Sequence, residues 1–148
     1  MIKTLHIPVS KIMTRDLHIV RPDDSLDRVH DIFSANAIHH IPVVAEDGKI
    51  NGMVSLMDFK RVNHMLSLFN KDKYESLNHK LYRSMTAEEI MTRELATLSP
   101  EDTLQTAADI FRENLFHALP VCEGGTLIGL VTTHDVLNYC CNEQSYIE

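Results

Sequence analysis

A chain of 148 residues with 44% apolar and 24% charged residues has the composition of a globular protein, which excludes disordered and collagen-like classes. That length suits one compact domain or two half-size repeats sharing a core. A net charge of −7 argues against nucleic acid as a partner, because such affinity rests on clustered Lys and Arg neutralising phosphates.

Three cysteines without ligand spacing, Cys122, Cys140 and Cys141, fit a reducing, cytoplasmic setting rather than a disulfide framework. The start of the chain is broken by His6 and Pro8, and no run of about 18 apolar residues follows, so neither export nor membrane insertion is expected.

In chain order, Leu17-His-Ile-Val20 reads as a short first strand ending near Pro22. Ser25, or Asp24 before it, is a cap for a helix whose apolar positions Leu26, Val29, Ile32, Phe33 and Ala37 recur at three and four residues. Two apolar runs, Ile41–Ala45 and Ile50–Val54, flank Asp47-Gly48, a strong hairpin signal. Asp58 then opens a helix with Phe59, Val62, Leu66 and Phe69 on one face. Asn70–Ser84 is polar and reads as a surface linker, partly helical, and Thr86-Ala-Glu-Glu89 resembles a capping box before Ile90.

The order then repeats. Ile12-Met-Thr-Arg-Asp-Leu17 returns as Ile90-Met-Thr-Arg-Glu-Leu95, and Pro22, Asp24, Leu26, His39, Pro42 and Val43 meet Pro100, Asp102, Leu104, His117, Pro120 and Val121. After one residue is lost in the turn, Gly48, Gly52, Val54 and Asp58 meet Gly125, Gly129, Val131 and Asp135. In the second copy the strand is Leu95–Leu98, Thr103 or Asp102 caps, Leu104, Ala107, Ala108, Phe111 and Leu115 form the helical stripe, and Gly124-Gly125 turns the hairpin. Val136, Leu137 and Tyr139 follow Asp135 in a shorter last helix. Each copy therefore reads strand, helix, strand, strand, helix, and the fold class is α+β. The boundaries are 1–69 for the first repeat, 70–84 for the linker and 85–148 for the second. A lone copy would leave part of its sheet uncovered, so the two are expected to pack about a pseudo-two-fold axis as one module.

Ile-Met-Thr-Arg before a strand and proline, then His-x-x-Pro-Val, then Gly-x-Val-[Ser/Thr]-x-x-Asp, resemble the cystathionine-beta-synthase (CBS) domain, which occurs as tandem pairs called Bateman modules. The resemblance implies a non-catalytic regulatory module that forms a homodimer and binds AMP, ADP or ATP, or S-adenosylmethionine, while controlling a partner protein. No cofactor is required.

The resemblance also points to residues. In Ser55-Leu-Met-Asp58 and Thr132-Thr-His-Asp135 a hydroxyl and a carboxylate stand three apart at a strand-to-helix junction, where free N–H groups and the helix dipole favour phosphate. In resembling proteins the Asp binds ribose and the Ser or Thr reaches phosphate. Helix capping alone also accounts for these residue types. His39, His40 and His117 precede the Pro-Val strands, where related modules contact phosphate; the alternative is a histidine bonded to a backbone carbonyl. Thr14, Asp16, His18 and Thr92 stand at the start of each first strand, whose backbone reads the adenine edge in resembling proteins. Arg15 and Arg93 are phosphate partners or, alternatively, answer nearby carboxylates.

The nine histidines lack metal-ligand spacing, so no metal site is expected. Met53, Met57, Met65, Met85 and Met91 read as packing residues. No catalytic motif is found in convincing context, so no enzyme activity is expected. The competing reading is a dimerisation scaffold with vestigial clefts.

Overall fold

The computed structural model describes residues 5–69 and 75–142. It is a mixture of helices and two separate two-stranded antiparallel sheets. The elements are α1 (Leu26–Ala35), β1 (His40–Val44), β2 (Ile50–Ser55), α2 (Leu56–Phe69), α3 (Glu75–Ser84) and α4 (Ala87–Ile90), then α5 (Leu104–Arg112), β3 (Ala118–Glu123), β4 (Thr126–Thr132) and α6 (Thr133–Cys141).

Both predicted hairpins form, for local reasons. Gly48 takes φ +86° while the Asp47 carboxylate accepts from Lys49 N, and the shorter second turn uses Gly124 and Gly125, both at positive φ. The two ladders carry matching irregularities, between Val43 and Val44 and between Val121 and Cys122. A doubled internal sequence thus produces a doubled local geometry, down to the position of its bulge.

The chain divides into two compact units, and that division is not the division into repeats. One unit is His18–Glu94; the other joins the residues up to Leu17 with those from Leu95 onward. The Ile-Met-Thr-Arg lead-in of each copy therefore packs with the sheet of the other copy. In the first unit Val20, Leu26, Val29, Ile41, Val43, Val54 and Phe59 form a core that also takes in Met91 from the second lead-in. In the second, Leu98, Ala107, Phe111, Leu119, Val121 and Val131 enclose Val9 and Met13 from the first lead-in. Each fully buried aliphatic side chain here contributes roughly 1.5–3 kcal/mol of burial free energy.

Several expectations are corrected. The first strand of each copy shrinks to a single bridging residue, Val20 against Val43 and Leu98 against Val121. Only Val20 and Leu98 exchange ladder bonds with the neighbouring strand, and pairing cannot run on past them, because Pro22 and Pro100 lie just beyond and the Asp24 and Asp102 carboxylates fold the chain back by accepting from Arg21 N and Ser99 N. Those two aspartates therefore close turns rather than cap helices. Thr103 caps α5 by accepting from Thr106 N, whereas Ser25 makes no side-chain cap. Thr86 makes none either: the free N–H groups of α4 donate to the backbone carbonyls of Pro22 and Asp24, leaving the capping box unformed.

The linker is more than a surface connection. Within α3, Tyr82 is buried and stacks on Phe59 at 5.9 Å, donating its hydroxyl to Asn63. Burial and, secondarily, the Asp27 charge push its phenol up from the ordinary value, so it stays a neutral donor. Residues 70–74 and the Phe69 side chain lie outside the described residues. Ala37 and Leu115, past the ends of α1 and α5, are exposed, and so are Leu137, Met57 and Met65. Met53 and Met91 are buried as packing residues.

Candidate functional site

The strand-to-helix junctions gather most of the predicted residues, through backbone pairing that the repeat imposes twice. At the first, His40 faces Ser55 in the β1–β2 register and the His39 carbonyl accepts from Leu56 N. Two residues before Ser55, Met53 exchanges a pair of hydrogen bonds with Thr92, 3.0 Å from Met53 N to the Thr92 oxygen and 2.8 Å in return. At the second, Ala118 faces Thr132, the His117 carbonyl accepts from Thr133 N, and Leu130 exchanges the equivalent pair with Thr14. Ser55, Asp58, His39, His40 and Thr92 thus share one unit, and Thr132, Asp135, His117 and Thr14 the other. Asp16 and His18 are exposed on the stretch where the chain leaves one unit for the other, and neither is drawn into a junction.

These lead-ins can approach because glycine stands opposite them. A Cβ on Gly52 would lie 2.8 Å from the Thr92 carbonyl oxygen, and one on Gly129 would lie 3.2 Å from that of Thr14. Buried glycine in a strand is the sequence signal of such an approach.

The carboxylates of the two junctions behave differently. Asp135 and Thr132 form a complete capping box: Thr132 Oγ1 accepts from Asp135 N at 3.1 Å and Asp135 accepts from Thr132 N at 2.9 Å. Ser55 Oγ likewise accepts from Asp58 N at 3.0 Å. The Asp58 carboxylate, however, turns to Arg61, 3.4 Å away and one helical turn on. Removing the Thr132 hydroxyl is therefore expected to cost about 1 kcal/mol of stability in Thr132→Ala. A fall in the urea midpoint at unchanged slope would report it; an unchanged midpoint would mean the box contributes nothing.

Beside the first junction lies an open groove of about 380 Å³ whose polar lining is Asp58, Arg61, Glu89 and Thr92. Its apolar lining comes from Val62, Met65 and Leu66 of α2, from Met85 before α4 and from Ile90 at the end of α4. An apolar wall with a few convergent polar groups is the ordinary form of a small-molecule site. Sequence reasoning does not single out Arg61 or Glu89; Arg61 was legible only as an i+3 partner of Asp58, and Glu89 only as a helix-start acid.

Arg15 and Arg93 point to their own neighbourhoods. Arg15 donates to the Ser10 carbonyl, and Arg93 lies 3.4 Å from the Glu88 carbonyl and 3.9 Å from its carboxylate. His39 and His117 are exposed, while His40 is half-buried. Among the described residues no group of three or more His, Cys, Asp and Glu could hold a metal ion, and no helix is long and apolar enough to cross a membrane.

Known proteins carry the same architecture. A CBS domain-containing protein of Dictyostelium discoideum is 30% identical over 138 residues, covering 90% of this chain and 91% of its own. The crystal structure of CBSX2 in complex with AMP superposes with a TM-score of 0.76 at 25% identity, covering 93% of this chain and 98% of that one. The homoserine O-acetyltransferase of Methanosarcina acetivorans is 25% identical over 132 residues, and the match spans only 21% of that longer protein. Residues 9–64 and 87–142 each match the CBS domain. With two such matches, doubled junctions and doubled hairpins, the chain belongs to the CBS domain family as a tandem pair.

Proposed function

We propose that this protein is a non-catalytic regulatory module that binds an adenine nucleotide, AMP, ADP or ATP, and signals its occupancy to a partner protein. The observation that carries the reading is the convergence of Asp58 and Thr92, from different copies of the repeat, on one groove that runs along α2 from its first turn. A carboxylate there can accept both ribose hydroxyls, the apolar wall suits a purine face, and the N-terminus of α2 favours phosphate. The AMP bound to the related CBSX2 supports the same ligand class. Occupancy would act by favouring one arrangement of the module over another that the partner prefers less. A homodimer in the cytoplasm belongs to the proposal, supported for the compartment by three free cysteines.

A thermal-shift screen against adenine and guanine nucleotides and S-adenosylmethionine tests it. An adenine nucleotide at about 100 times its Kd adds roughly 2.7 kcal/mol of stability, which is several degrees of Tm. Guanine nucleotides should give no shift. Absence of any adenine-dependent shift, in protein free of co-purified ligand, would leave the dimerisation scaffold, a reading that the use of Thr132 and one Asp135 carboxylate oxygen in a helix cap favours at the second junction.

A further inference from the structure

We propose that Glu89 is a specificity-determining residue of the first-unit groove, selecting adenosine or AMP over ATP; this rests on the nucleotide reading above. The groove's charged lining is two carboxylates, Asp58 and Glu89, against one guanidinium, Arg61. Arg61 is already engaged with Asp58 at 3.4 Å. Arg93 follows Thr92 in the chain but does not line the groove, and its guanidinium lies 3.4 Å from the Glu88 carbonyl and 3.9 Å from its carboxylate. Among the described residues, then, Arg61 is the only cation that lines the groove, against the carboxylates of Asp58 and Glu89. If Asp58 exchanges Arg61 for the ribose hydroxyls, one guanidinium is released for phosphate. That charge balances a monophosphate about halfway and a triphosphate far less, with Glu89 opposing both.

Glu89 sits on the four-residue helix α4 and is exposed, so its field is screened and its effect modest. Two additional ligand charges at roughly 8 Å in a water-like dielectric correspond to about fivefold in relative affinity.

Calorimetric titration of the full chain with adenosine, AMP and magnesium-free ATP, at low and high salt, tests the assignment in wild type and Glu89→Gln. Wild type should bind AMP more tightly than ATP. The variant should narrow that preference about fivefold and leave adenosine unchanged, with the difference shrinking in salt. Glu89→Lys should carry the change further in the same direction. ATP binding as tightly as AMP in wild type, or Glu89→Gln shifting all three ligands equally, would overturn the role of Glu89 while keeping the nucleotide reading. Binding of none of the three would overturn both.

Discussion

Asp58→Ala is expected to weaken adenine-nucleotide binding by at least tenfold, the size of losing hydrogen bonds to a charged acceptor. Little of that loss should come from the fold. The Asp58 side chain is 29% exposed, and its ion pair is with an Arg61 side chain that is 72% exposed, so the pair is a surface interaction worth a fraction of a kcal/mol at most. Asp135→Ala should invert the pattern. That carboxylate accepts from Thr132 N within a capping box, so its removal should cost about 1 kcal/mol of stability with the Asp58-dependent binding intact. Calorimetry and urea denaturation on the two variants separate the effects. If nucleotide affinity were the same in Asp58→Ala as in wild type, the assignment of the ribose contact would be wrong.

Gly52→Val should be the most destabilising single substitution considered, by about 1–3 kcal/mol from overpacking alone. Already the first atom of the new side chain would stand 2.8 Å from the Thr92 carbonyl oxygen and 2.7 Å from Met91 Cγ. Relief requires the second lead-in to move off β2, which would break both Met53–Thr92 hydrogen bonds, each worth about 1 kcal/mol, and draw Thr92 away from the groove. Nucleotide binding should therefore fall along with stability. Gly124→Ala is the control, since its Cβ meets nothing within 4 Å and only the φ of +59° opposes it, at about 1 kcal/mol. Equal losses in urea denaturation would remove the steric account of Gly52.

Features set by residues close in the chain are legible in the sequence, and those set by distant partners are not. Asp47-Gly48 and Gly124-Gly125 dictate their turns through backbone conformations that few other residues adopt, so the hairpins were legible. The stripes of α1 and α5 were legible because period alone distinguishes a helix with one buried face. Thr86 and Ser25 show where local signals fail. Both have the chemistry of a cap, yet they bridge to each other's backbone, and the carbonyls of Pro22 and Asp24 serve the α4 donors instead. Tyr82 fails as a linker residue for the same reason: its core partners Phe59 and Phe33 belong to distant elements, with Phe33 reaching it through a ring contact to Phe59.

The sequence by itself determined the doubled α+β plan, the two hairpins and the paired hydroxyl–carboxylate junctions, since each depends on residues within a few positions of one another. Tertiary structure alone decided that each Ile-Met-Thr-Arg lead-in packs with the other copy's sheet, and so that Thr92 joins Asp58. The different partners of Asp135 and Asp58 are local instead: Thr132 stands three residues before the one and Arg61 three residues after the other, where the second copy has Asn138. Nearly identical lead-ins cannot reveal their own placement, because it depends on the distant backbone that each pairs with, Met53 for Thr92 and Leu130 for Thr14.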